Sequence, residues 1–138
     1  MYPIQLTQPM ANELNEVGFT SLHTPETVAS ALENQEGTTL LVVNSVCGCA
    51  AAYARPGVKI ALSDDKRPDN LVTVFAGVDV DAVRTARTYL APYPPSSPAI
   101  ALFKNGQVVH FIERHQIEGR SAQMIAENLI GAFGQHCN

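Results

Sequence analysis

Two of the three cysteines in this 138-residue chain, Cys47 and Cys49, are separated by one residue in Val46-Cys47-Gly48-Cys49-Ala50-Ala51-Ala52. A thiolate can attack a disulfide or hold a soft metal, and the ionised form does both. The apolar run Leu40-Leu41-Val42-Val43 precedes the pair and an alanine-rich run follows it. The thiols therefore fall where a strand hands over to a helix. Free N–H groups and partial positive charge at a helix N-terminus favour thiolate over thiol. Gly48 is expected to supply permissive dihedrals as the chain turns between the cysteines. A Cys47–Cys49 bond across so short a span is strained and easily reduced. The spacing points to thiol–disulfide exchange, with Cys47 and Cys49 as its catalytic residues.

Other residues carry two readings each. Cys137, one residue from the end, is a frayed free thiol or a regulatory or resolving one, depending on whether the last helix brings it near Cys47. Arg55 steadies the thiolate or is a solvated helix residue. A soft-metal protein for copper(I) or zinc is one alternative to exchange. Against it, His23, His110, His115 and His136 are scattered and supply no third or fourth ligand at a usual spacing. A non-enzymatic adaptor is the other alternative.

The elements that must position these groups follow from local patterns. Residues 1–22, with Pro3 and Pro9, are expected to be irregular apart from a short helix in Met10 to Val17. Thr24-Pro25-Glu26-Thr27 signals a helix start, with a Thr cap, Pro in the first turn and an early acid. Thr38 to Asn44 reads as a strand buried on both faces. Arg55-Pro56-Gly57 is expected to kink or end the helix that follows the cysteines. A second strand is expected over Leu71 to Gly77 and a helix over Asp79 to Leu90. Strands at Ala99 to Phe103 and Val108 to Glu113 are joined by a turn containing Asn105-Gly106, a strong hairpin signal. Ser121 to Phe133 closes the chain as an amphipathic helix. Alternating strands and helices imply parallel pairing with helical crossovers, and the late hairpin adds antiparallel strands. The fold class is thus α/β, a central mixed sheet with helices on both faces, in a single domain over 1–138.

Composition restricts the functions available. The net charge is −4, with 46% hydrophobic and 16% charged residues. No Lys/Arg cluster offers a footprint for nucleic acid. No apolar stretch approaches the roughly 18 residues of a membrane span. The N-terminus lacks a basic start and an apolar signal core, so a cytoplasmic location is expected. Thiols there are kept reduced, which argues against a structural disulfide framework.

The segment Ser97-Pro98-Ala99-Ile100-Ala101-Leu102-Phe103-Lys104-Asn105-Gly106 resembles the part of thioredoxins in which a cis-proline opens a strand leading to a Lys-Asn-Gly hairpin. More narrowly, Asn44 to Ala51 around Cys-Gly-Cys, with Ala54-Arg55-Pro56 and His115-Gln116-Ile117-Glu118-Gly119-Arg120, resembles the bacilliredoxin family over nearly the whole chain, including Cys137. That resemblance implies a thioredoxin-like fold and removal of bacillithiol from mixed disulfides on client proteins, with possible reductase or isomerase activity. It implies that Cys47 is the attacking thiolate and that Cys49 either resolves the intermediate or modulates Cys47, a second small thiol being the other resolving agent. It implies a cis Ser97–Pro98 bond beside the cysteines, with Ser97 and Pro98 binding substrate. Arg55 is a candidate for the carboxylates of bacillithiol. No cofactor or metal is implied beyond bacillithiol as co-substrate, and no nucleic-acid or membrane partner.

Overall fold

A computed structural model describes residues 2–138, and five strands run through its centre. In chain order the elements are α1 (Ile4–Asn15), β1 (Thr20–Ser21), α2 (Pro25–Leu32), β2 (Thr38–Asn44), a π-helical turn (Ala50–Ala54) continuing as α3 (Arg55–Ala61), β3 (Asn70–Phe75), α4 (Val80–Tyr89), β4 (Ala99–Lys104), β5 (Gln107–Ile112), α5 (Arg114–Ile117) and α6 (Ala122–His136). The strand order is β1-β3-β2-β4-β5. β1, β3 and β2 are parallel, whereas β4 lies antiparallel to β2 and β5 antiparallel to β4.

β2 occupies the middle of the sheet, and every one of its seven residues is buried. Side chains alternate across a strand, so Leu40 and Val42 join a core with α3 and α6, while Leu41 and Val43 join another with α2 and α4. β4 divides in the same way: Ile100 and Leu102 face α6, and Ala99, Ala101 and Phe103 face α4. This two-sided burial explains the nearly continuous apolar sequence of both strands. The mixed sheet covered on both faces is the architecture expected from the sequence.

Local chemistry sets several boundaries where expected. The Thr24 Oγ1 accepts the Thr27 N–H at 3.2 Å, with Pro25 in the first turn of α2. Asn105 and Gly106 both have positive φ, 52° and 81°. A type I′ hairpin turn requires that sign at both central residues. Ser121 caps α6 by accepting the Met124 N–H at 3.1 Å. Gly57 is where α3 meets α6: a Cβ there would lie 2.8 Å from Ile125 Cγ2 and 3.1 Å from the Ala122 carbonyl.

The N-terminal segment differs from expectation. Residues from Ile4 onward are helical, with Pro9 inside α1, and β1 forms a short edge strand on β3. Pro9 cannot donate to the Gln5 carbonyl, but Gln5 is exposed, so water can serve that oxygen. The helix is held from the sheet side by buried Leu14 and by Asn44 Nδ2 donating to the Met10 carbonyl at 3.3 Å. Pro56 does not end its helix, which runs on through Ala61, in keeping with a disturbed rather than a broken helix. The chain widens into the π turn just ahead of it, where the Arg55 N–H reaches back to the Ala50 carbonyl. Widening of this kind accommodates a proline that a regular α-turn would exclude.

Candidate active site

The end of β2 leads directly to the cysteines, and a buried arginine fixes the loop between them. Arg55 is only 2% exposed. Its Nη1 donates to Asn44 Oδ1 at 3.0 Å and to the Ser45 carbonyl at 2.9 Å, while Nε lies 3.2 Å from a Glu13 carboxylate oxygen on α1. Asn44 Oδ1 also accepts the Ser45 N–H, and the Asn44 carbonyl accepts the Ala76 N–H. Ser45 Oγ then accepts the Cys47 N–H at 3.0 Å. Arg55 is thus a brace beneath the loop, engaged with Asn44, Ser45 and Glu13. Of the two readings its sequence position allowed, burial overturns the solvated helix residue. Its hydrogen bonds go to the loop backbone and Asn44 rather than to the thiolate.

Cys47 stands at the opening of the helix. Its carbonyl accepts the Ala50 and Ala51 N–H groups at 3.0 and 3.2 Å. Its Sγ accepts the Cys49 N–H at 3.4 Å. Cys47 is half-buried, Cys49 is buried, and both are free thiols. The Cys47 pKa is lowered, chiefly because the Cys49 thiol donates to it; the Cys49 N–H, the Arg114 guanidinium and the Ala50 N–H add to the effect, against partial desolvation. Burial pushes the Cys49 thiol up, and its hydrogen bond to Cys47 and the Cys47 charge push the same way. One sulfur is therefore held ready to ionise while its neighbour keeps its proton.

Gly48 does not supply the unusual dihedral expected of it. Its φ is not positive, because it already belongs to the first helical turn. It is exposed, and a Cβ built there would meet nothing within 4 Å. A small residue here leaves the approach to the two sulfurs open.

Ser97–Pro98 is cis, as is Ala91–Pro92, which the sequence reading did not single out. Pro98 is buried at the entry to β4, whose first residue Ala99 pairs with Val43 of β2. Proline and cysteine loop are thereby set side by side, and Ser97 and Cys47 line one cavity of about 550 Å³. Arg114, at the start of α5, lines it too. The Arg114 N–H donates to Ser96 Oγ at 2.6 Å, its Nη1 reaches the Ser97 carbonyl at 3.4 Å, and its Nε pairs with Glu118. Arg114 is the functional residue that sequence reasoning missed. The motif His115 to Arg120 stops one residue short of it, and the Arg114/Glu118 spacing of four residues was the available signal. His115 itself pairs with Glu113.

Cys137 lies elsewhere. It is buried beside Thr38, with Asp69, Lys66 and Lys104 near it. Thr38 opens β2 and the cysteine loop follows its end. At roughly 3.3 Å per residue, the strand alone separates the two sites by about 20 Å. The last helix does not bring Cys137 to Cys47. Among the described residues, no group of three or more His, Cys, Asp or Glu side chains converges as a metal site. None of the described helices is long and apolar enough to cross a membrane.

A family model described as disulphide isomerase matches residues 2–137. The chain is 61% identical to a bacilliredoxin of Cytophaga hutchinsonii over 129 residues, covering 94% of this chain and 95% of that one. It is 52% identical to a bacilliredoxin of Halalkalibacterium halodurans over 136 residues, covering 99% and 94%. A solved thioredoxin of Malassezia sympodialis superimposes with a TM-score of 0.58 over 86% of this chain and 90% of that one, at 17% identity, which speaks to fold alone. With a thioredoxin fold, a cysteine pair opening a helix and full-length relatives at such identity, the chain is a thioredoxin-like oxidoreductase and belongs to the bacilliredoxin family.

Proposed function

We propose that Cys47 takes a small thiol, bacillithiol or one like it, from mixed disulfides on client proteins. The Cys47 thiolate attacks the sulfur of the small thiol R–S in protein–S–S–R. A Cys47–S–S–R bond forms, the original S–S bond breaks, and the client leaves as a thiolate. Two completions balance. The Cys49 thiolate attacks the Cys47 sulfur and expels R–S⁻, leaving a Cys47–Cys49 disulfide. Alternatively, a second R–S⁻ attacks the small thiol's own sulfur in that adduct, giving R–S–S–R and a restored Cys47 thiolate.

The observation that carries this reading is the asymmetry of the pair: an accessible Cys47 with lowered pKa at a helix opening and a protonated, buried Cys49 behind it. Ser97 lines the cavity beside Cys47 and the buried cis Pro98 holds the backbone ahead of it, against which the substrate segment rests. The reaction belongs in the cytoplasm, where reduced small thiols are abundant.

The same chemistry extends to disulfide isomerisation. Cys47 opens a client disulfide, forming a mixed disulfide and freeing one client thiolate; another client thiolate then expels Cys47. No net oxidation occurs, and a Cys49 that stays protonated does not divert the intermediate.

The test is incubation with a bacillithiol-modified protein, followed by intact mass. Wild type and Cys49→Ala gain the small thiol, Cys49→Ala accumulates it on Cys47, and Cys47→Ala gains nothing. Acceptance by Cys47→Ala would remove Cys47 from its role.

A further inference from the structure

The cavity beside Cys47 is walled by Tyr2, Ser45, Val46, Ala76, Gly77, Arg87, Ser97 and Arg114. Apart from Cys47 itself, its charged residues are two arginines, and no carboxylate lines it. Arg87 comes from the last turn of α4. Among the described residues it has no ion-pair partner, and its Nε is closed off from solvent with nothing to donate to. A guanidinium without an acceptor is unfavourable; Nε is shut off, so the terminal nitrogens of Arg87 are the ones that can meet an acceptor arriving in the cavity.

Arg114 lines the same space, with its Nη1 on the Ser97 carbonyl. A second cavity, of about 440 Å³, shares Arg87, Ser97 and Arg114 but also presents Glu113, Glu118 and His115. Those two carboxylates repel an anion there. On the Cys47 side no carboxylate does. The one opposing charge is the Cys47 thiolate, which the disulfide bond to the small thiol removes, and the cavity measures about 550 Å³. That volume lies in the usual range for a small molecule. Gly77 lets Tyr2 close in: its φ is +84°, and a Cβ there would lie 2.5 Å from Tyr2 Cε2, so one edge of that ring packs against the glycine backbone.

We propose that Arg87 and Arg114 form a two-guanidinium clamp that receives the carboxylates of the small thiol while its sulfur sits at Cys47. The substrate class is thus a low-molecular-weight thiol bearing carboxylates, in preference to a neutral or cationic one. Planar guanidinium forks match carboxylates in pairs. The clamp holds the R group of the Cys47–S–S–R adduct, so it sets which thiol is taken up. This inference rests on the exchange proposed for Cys47.

The test uses the full chain and a carrier protein with one exposed cysteine, loaded as a mixed disulfide with mercaptosuccinate, 2-mercaptoethanol or cysteamine. Transfer onto Cys47 is followed by intact mass, and each rate is normalised to reaction of the same disulfide with free dithiothreitol. Wild type should favour mercaptosuccinate over cysteamine by about tenfold or more, and Arg87→Gln should narrow that ratio to about threefold or less. Separately, S-methyl mercaptosuccinate, which cannot exchange, is titrated into the protein while the Arg87 Nε–H resonance is followed by NMR. A saturable shift is expected in wild type and in Cys47→Ser. Equal normalised rates, an unchanged ratio in Arg87→Gln, or no saturable shift would each overturn the clamp. An unchanged ratio would assign selectivity to an acidic stretch of the client or to other residues. A saturable shift without transfer from any carrier would uphold the clamp and remove the exchange reading instead.

Discussion

The backbone N–H of Cys49 points at the Sγ of Cys47 from 3.4 Å. The Cys49 thiol and the Ala50 N–H approach the same sulfur, and the Arg114 guanidinium adds its charge. Every one of these contacts is stronger to a thiolate than to a thiol, and together they outweigh the desolvation that opposes them. A lowered pKa means the reactive form persists to lower pH. Iodoacetamide labelling of Cys47 should therefore show a midpoint below the roughly 8.5 of an unperturbed cysteine, read by peptide mass across a pH series. Arg114→Gln should move that midpoint upward. A midpoint at or above the free value would remove the electrostatic account of Cys47.

Cys49 titrates in the opposite direction, because burial and its hydrogen bond to Cys47 hold its proton on. In the Cys47 adduct the Cys47 charge is gone and burial still holds the Cys49 proton on. If Cys49 resolves that adduct, the rate is set by its thiolate fraction. Below a raised pKa that fraction grows about tenfold per pH unit. In a single-turnover experiment without added thiol, adduct loss from wild type should accelerate by about that factor per unit up to and beyond roughly pH 8.5. Cys49→Ala should hold the adduct throughout. A flat profile would pass the resolving step to an external thiol.

Arg55 lies 2% exposed, with two acceptors of the cysteine loop on one nitrogen and Glu13 beside another. Arg55→Met keeps much of the length but leaves the Ser45 carbonyl without its donor and Asn44 Oδ1 with the Ser45 N–H alone. Hydrogen bonds to a charged group contribute about 1.5–3 kcal/mol each, and unpaired buried acceptors carry a further cost. Urea unfolding should show a loss of about 3 kcal/mol. Glu13→Gln should cost less, because Glu13 is 37% exposed and water replaces part of the pairing. Equal losses would mean that the ion pair, rather than the loop contacts, carries the stability.

Such a brace shows why some of the site could be read from sequence and some could not. β2 and its neighbours declare themselves because a strand buried on both faces is apolar along its middle, as Leu40 to Val43 are, with the buried polar residues Thr38, Thr39 and Asn44 at its two ends. Asn105-Gly106 fixes its hairpin through a local demand for positive φ. The cysteines are legible as chemistry because of their spacing at a strand–helix boundary. Arg55, Arg87 and Arg114 are different: an arginine in sequence carries no mark of what it touches. Arg55 is adjacent to the helix proline yet points under the loop, whereas Arg114 brings its charge to bear on Cys47 only because β5 returns beside β4 and places α5 near Ser97. Those are contacts across the fold. Pro9 misled in the opposite way, since it sits inside α1. There a local rule that usually ends a helix gave way to tertiary packing.

Cys137 supplies a test that separates the two ends of β2. Its thiol is buried beside Thr38, its backbone N–H donates to the Phe133 carbonyl at 2.8 Å, and burial raises its pKa. In native protein near neutral pH it should resist iodoacetamide while Cys47 reacts, and it should label once denaturant is added. Resolution of the Cys47 adduct should be unchanged within about twofold in Cys137→Ala, because the sites are too far apart to couple. Stability should respond instead. Below the unfolded-state pKa the thiol is neutral in both states; as pH rises through about 8.5 the unfolded chain ionises first, and stability falls until the folded pKa is passed. Cys137→Ala removes that contribution, so the difference in urea midpoint between pH 7 and pH 10 should be smaller than in wild type, other titrating groups being common to both. A slowed adduct release in Cys137→Ala with an unaltered alkaline profile would place this cysteine in the exchange reaction after all, through a second copy of the chain.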